Sequence, residues 1–184
     1  AGVGTEDDLF HAIGKTIRSR FFWLTIHLFA AVAASAVISL FAGTIEELVA
    51  LAILMPVVAT MGGTAGIQAL TVAVRAIAVK ELTATNALRS IRKEVLVSTL
   101  NGLFFGLFIG GLAWAWFDNA ALGGVIALAT LINLLTAGLT GSVLPVILQR
   151  AGFDPAVASS ALLTSVTDVV GFYAFLALAA VLLL

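Results

Sequence analysis

Five stretches of this 184-residue chain, 21–42, 48–74, 95–117, 120–148 and 156–184, stay apolar for longer than the core of a soluble domain requires. A helix needs about 20 residues to cross roughly 30 Å of hydrocarbon, and every one of these stretches supplies them. They are rich in Leu, Ala, Val, Ile and Phe without the strict alternation of a barrel strand, so the pattern predicts helices. With 61% of residues hydrophobic and 10% charged, the composition agrees with a chain immersed in lipid. The expected fold class is an all-α integral membrane protein with five transmembrane helices.

The charges orient it. All nine Lys and Arg fall in alternate flanks: Lys15, Arg18 and Arg20 before the first segment, Arg75, Lys80, Arg89, Arg92 and Lys93 around the second connection, and Arg150 after the fourth. The other connections are short and carry Glu46, Glu47 and Asp118. Basic residues mark the cytoplasmic side, so the N-terminus is expected in the cytoplasm and the C-terminus outside. The polar stretch "GTEDDLFHAIGKTIRSR" ahead of the first segment is unlike a cleaved signal peptide. It reads as an amphipathic cytoplasmic lead-in over 1–20, a linker or plug-like helix that either lies on the membrane surface or joins a soluble part, followed by a transmembrane domain over 21–184. The chain has no cysteine, which excludes disulfides and thiolate metal sites.

The second segment contains "MPVVATMGGTAGIQ". Pro56 removes a helix donor there, and Gly62, Gly63 and Gly66 permit either close backbone approach or a local break. Beyond them Thr60, Thr64, Gln68, Thr71 and Arg75 recur at intervals of three and four on one helical face. Small residues of this kind also pack helices together, but Gln68 and Arg75 are large polar groups, which favours a pore wall. Gly102, Gly106 and Gly110 in the third segment form a tandem small-residue pattern that predicts plain helix packing. Asn133 in the fourth is either an interhelical hydrogen-bonding group or a cavity group. His27 reads as a core histidine, and Trp23, Trp114 and Trp116 sit near segment ends as interfacial aromatics do.

Asp168, in "LLTSVTDVVGF", is the thirteenth residue of the 29-residue fifth segment, close to the bilayer midplane at about 1.5 Å per residue. A carboxylate facing lipid there costs several kcal/mol, roughly 2.5–3.5 on insertion scales, so it should face water or a partner. Thr164 and Ser160 lie one and two turns before it and Gly171 three residues after it, which places hydroxyl, carboxylate and accessible carbonyl oxygens together. An oxygen-only site suits Mg²⁺ or Ca²⁺ over zinc or copper. One carboxylate under-balances a divalent ion, and a homodimer with two Asp168 side chains on its axis corrects this. The ion is expected to keep part of its water shell.

The motifs "MPVVATMGGTAGIQALTVAVRAIAV" and "GFDPAVASSALLTSVTDVVGFYAFLALA" resemble the signature regions of the transmembrane domain of the MgtE family of bacterial Mg²⁺ channels. The resemblance covers essentially the whole chain. It implies a bacterial inner-membrane protein, a homodimer whose pore is lined by the second and fifth helices, and a Mg²⁺ site at Asp168 with the Thr164 backbone carbonyl in contact through water. Ser160, Gly171, Thr60, Thr64, Gln68 and Thr71 are the further pore-lining candidates, with Mg²⁺ as the transported ion and no organic cofactor. Thr64 stands where the family has Asn, and Ala161 where it often has Pro. The resemblance also implies cytoplasmic regulatory partners, an N-terminal helical domain and a pair of CBS modules, that these residues do not supply; no nucleic-acid partner is expected. The function so implied is a Mg²⁺ channel whose range extends to other divalent cations, and the alternative is an exchanger coupled to H⁺ or Na⁺. An enzyme is not expected. An aspartyl intramembrane protease needs two carboxylates within the bilayer, whereas Asp118 and Asp154 lie at segment ends, and a serine type would have only His27 as its base.

Overall fold

In hydrocarbon every backbone N–H and C=O must find its partner within the chain, and a helix achieves this without help from its neighbours. The computed structural model describes residues 13–83 and 85–184, and these form α1 (Ile13–Ser39), α2 (Ala42–Glu47), α3 (Ala50–Ala78), α4 (Ala87–Phe117), α5 (Ala120–Arg150) and α6 (Pro155–Leu182). No strand occurs among the described residues. Five of the helices contain segments long and apolar enough to span a membrane: Arg20–Ser39, Ala50–Ala78, Ala87–Phe117, Ala120–Arg150 and Ser159–Leu182. The short α2 occupies the connection that carries Glu46 and Glu47. Residues 1–12 of the expected lead-in lie outside the described residues, and its last part, 13–20, runs into the first span as one uninterrupted helix.

α3 resolves the alternatives at its glycines in favour of close approach. It remains a single helix across Pro56, Gly62, Gly63 and Gly66, because losing one donor at Pro56 costs less than exposing several backbone groups to lipid would. Gly62 and Gly66 are buried against neighbouring helices, while a Cβ at Gly63 would meet nothing within 4 Å.

α5 is the centre of the arrangement. It packs against α4, α3 and α6, whereas α1 rests chiefly on α6 and α4 has little contact beyond α5. The α4–α5 seam is made by the glycines. A Cβ at Gly106 would stand 2.7 Å from the Ala127 carbonyl oxygen, and one at Gly110 would stand 2.7 Å from that of Gly123. Backbones therefore touch directly, as small-residue packing allows. A tight connection at Asp118 and Asn119 joins the two helices: Asp118 is left-handed at φ 51°, and Asn119 Oδ1 accepts from the Leu122 N–H at 3.0 Å to cap α5.

The apolar core gathers at one end of the bundle, where α3 and α5 begin and α4 and α6 finish. Leu51, Leu54, Val58, Ala113, Leu122, Val125, Ile126, Phe175 and Leu176 form it. At the opposite end α3 and α5 stop in matching motifs. Lys80 (φ 58°) and Gly152 (φ 79°) take the left-handed position, and the next N–H in each case returns to the helix, Glu81 to the Ala76 carbonyl at 2.9 Å and Phe153 to that of Leu148 at 3.0 Å. That end also holds Arg18, Arg20, Arg75, Arg89, Arg92, Lys93 and Arg150, so the structure gathers the described basic residues on one side.

Candidate ion path

In α6, Ser159, Leu163, Thr167, Gly171, Phe175 and Ala179 recur every four residues and are all buried. The adjoining row, Ser160, Thr164 and Asp168, is half-buried. Asp168 thus sits where the packed side of the helix meets its open side. Its carboxylate forms no hydrogen bond among the described residues. The Thr164 hydroxyl donates to the Ser160 carbonyl at 3.0 Å, and the Thr164 carbonyl accepts from the Thr167 hydroxyl at 3.1 Å. The Ser160 Oγ is buried with no partner among the described residues. Gly171 departs from its expected place beside Asp168. Three residues advance a helix by about 300°, and the missing 60° carries Gly171 into the buried row, where a Cβ would come within 2.5 Å of the Asn133 Nδ2.

On α3 the row Thr60, Thr64, Gln68, Thr71 and Arg75 is exposed along its whole length, while Val58, Gly62, Gly66, Ala69, Leu70 and Ala73 face the bundle. Thr71 turns its hydroxyl back to the Ile67 carbonyl at 2.7 Å; Thr60, Thr64 and Gln68 have no side-chain hydrogen bond among the described residues. A row of unsatisfied polar groups facing hydrocarbon is unfavourable, so this face requires water or another polar surface.

The two faces can be placed in depth relative to each other. Asn133 of α5 fits against both Gly62 of α3 and Gly171 of α6, and a Cβ at Gly66 would stand 2.9 Å from Leu163 of α6. The helices run antiparallel, so Asp168, between Leu163 and Gly171, lies near the level of Thr64.

Asn133 is the residue whose role was not legible from sequence. It is fully buried, and its Nδ2 donates to the Val58 carbonyl at 2.8 Å. A lone Asn in an apolar helix signals a bond to something, but its partner lies 75 residues away and nothing local points to it. The Asn133 Oδ1 and the Thr130 Oγ1, one turn earlier, are buried without partners among the described residues. His27 lies half-buried on α1, the helix that packs on α6, and not in the core.

Among the described residues no group of three or more His, Cys, Asp or Glu side chains comes together to hold a metal. Asp168 is the only carboxylate in the middle of any of the five long helices. Bundled apolar helices with one polar face running through the membrane define a polytopic α-helical membrane protein.

Comparison with known proteins assigns it further. The family described as "MgtE: Divalent cation transporter" matches residues 55–178. The chain is 35% identical over 168 residues to the magnesium transporter MgtE of Enterococcus faecalis, covering 91% of this chain and 37% of that protein. It is 31% identical over 157 residues to the magnesium transporter MgtE of Bacillus subtilis, covering 85% and 35%, and 32% identical over 161 residues to that of Thermus thermophilus, covering 88% and 36%. This chain belongs to the MgtE family of divalent cation transporters. It spans just over a third of the length of these relatives.

Proposed function

We propose that this chain forms the ion-conducting unit of a Mg²⁺ channel and works as a homodimer. The observation that carries the reading is Asp168: a mid-membrane carboxylate without a hydrogen-bond partner among the described residues, bordering the open side of its helix at the level of an exposed polar row on α3. One copy offers a single negative charge. Two copies related by a two-fold axis bring two, which balances a divalent ion and covers both polar faces at once.

In this arrangement Ser160, Thr164 and Asp168 of α6 and Thr60, Thr64, Gln68 and Thr71 of α3 line the path. Mg²⁺ gives up its water reluctantly, so the ion crosses partly hydrated, with the Asp168 pair as the charged waypoint and the Thr164 carbonyl in contact through water. Gly171 contributes indirectly, by admitting Asn133 beside the helix that carries Asp168. The basic end of the bundle faces the cytoplasm of a bacterial cell, and there residues 13–20 connect the pore to cytoplasmic regulatory domains. Transport, not catalysis, is the activity.

The test is Mg²⁺ flux into liposomes that hold the purified chain, wild type against Asp168→Ala, under an imposed membrane potential with an internal pH dye. Flux that follows voltage, leaves pH unchanged and disappears in the variant supports a channel with Asp168 at its ion site. Flux locked to a pH change, or to Na⁺ movement, identifies an exchanger instead. Equal flux in both proteins removes Asp168 from the path.

A further inference from the structure

At the basic end, between the close of α3 and the start of α4, lies a cleft of about 480 Å³ lined by Ala76, Glu81, Leu82, Arg89, Ser90 and Lys93, with Asn86 at its edge. Asn86 builds it: its Oδ1 accepts from the Thr83 N–H at 2.8 Å and its Nδ2 donates to the Glu81 carbonyl at 2.8 Å. With its side chain committed to the loop, Asn86 makes no side-chain cap on α4. Arg89 and Lys93 are exposed and form no ion pair or hydrogen bond among the described residues. They face one carboxylate in the cleft, Glu81, and Lys80 and Arg92 stand close by in sequence.

What distinguishes the cleft from a general basic surface is its continuation. Arg89, Lys93, Leu96, Leu100, Leu103 and Leu107 share one face of α4, at intervals of four, three, four, three and four. The four leucines are 61%, 59%, 46% and 72% exposed. Leu103 and Leu107 border a second, wholly apolar hollow of about 160 Å³ in the α4–α5 groove. Ten residues separate Lys93 from Leu103, about 15 Å at 1.5 Å per residue, a distance an acyl chain covers. A soluble anion would use the cations alone, and the leucine row beside them is a face that suits acyl chains. A molecule with a phosphate head and apolar tails uses both.

We propose that the α3–α4 cleft binds the phosphodiester headgroup of an anionic phospholipid through Arg89 and Lys93, with an acyl chain along the leucine face of α4. The site is independent of the ion path and holds whether the protein is a channel or an exchanger.

The experiment is native mass spectrometry of the delipidated chain in detergent, titrated with phosphatidylglycerol, phosphatidylethanolamine or phosphatidylcholine, and separately with inorganic phosphate. Phosphatidylglycerol is expected to be retained preferentially. Arg89→Gln with Lys93→Gln should weaken its binding roughly thirtyfold, about a factor of five for each basic residue near an anionic headgroup. The charge-keeping exchange Arg89→Lys with Lys93→Arg should retain binding. Arg18→Gln with Arg20→Gln, an equal loss of charge at the same end of the bundle, should leave it nearly unchanged. Equal retention of the three lipids, or equal loss in both glutamine pairs, would overturn the proposal. Phosphate binding as strong as lipid binding and equally sensitive to Arg89→Gln with Lys93→Gln would overturn it in favour of a soluble anion.

Discussion

Asp168 and Asn133 are both polar groups in apolar helices, and they answer the same problem in opposite ways. Asn133 is sealed in, with one hydrogen bond across the bundle and glycines on two neighbouring helices making room for it. Asp168 stays at the border with no hydrogen-bond partner among the described residues. The Asn133 bond is expected to stabilise modestly: such interhelical bonds average about 0.6 kcal/mol in membranes, and truncation adds a cavity. Asn133→Ala should therefore lower stability by about 1–2 kcal/mol, read as a fall in the thermal midpoint of the detergent-solubilised protein. In the proposed dimer, Asp168→Glu keeps the charge but adds a methylene to both copies of the paired site. It should retain the fold and lose most Mg²⁺ flux, and normal liposome uptake by this variant would argue against a tight paired site. Asp168 could be singled out from sequence because a mid-span carboxylate is costly wherever it points. Asn133 could not be assigned, because the meaning of an amide depends on what it reaches.

At the level of helices, hydropathy located all five spans, since length and apolarity are properties of each segment alone. Whether the α3 glycines break the helix or pack it is settled by neighbours, and the structure shows that Gly62 and Gly66 pack it. The same distinction predicts opposite outcomes for two glycines of α4. Gly106→Val would drive its Cβ into the Ala127 carbonyl, where no flexible side chain can yield, so it should destabilise by about 2–3 kcal/mol, within the usual cost of overpacking. Gly111→Ala meets nothing within 4 Å and should be neutral or stabilising by up to about 1 kcal/mol through helix propensity. Thermal or denaturant unfolding in detergent compares the two. Lys80 is a third case: a side chain in the left-handed position costs about 1–2 kcal/mol relative to a residue without Cβ, so Lys80→Gly should raise stability by about 1 kcal/mol in the same assay.

Across the whole molecule, one exposed surface has to serve two environments. The polar row of α3 calls for water, whereas Phe104, Leu107 and Phe108 of α4 are 66%, 72% and 59% exposed and suit lipid tails. Because the chain has no cysteine, single replacements report on each face. Thr64→Cys and Gln68→Cys should react with a charged, membrane-impermeant thiol reagent in proteoliposomes, and Phe108→Cys should not; unreactive α3 positions would close the proposed path. The organisation of the seams has a further consequence for how the protein is made. α4 meets its neighbour α5 through a backbone-to-backbone seam and a two-residue connection, so that pair can close as soon as residue 150 has left the ribosome. α3 can then settle against α5, and α6 completes its packing from the far side. The hairpin is therefore available as an early-inserted template, and Asp168, the proposed ion-site carboxylate, follows it on α6 into a membrane that already holds α3, α4 and α5.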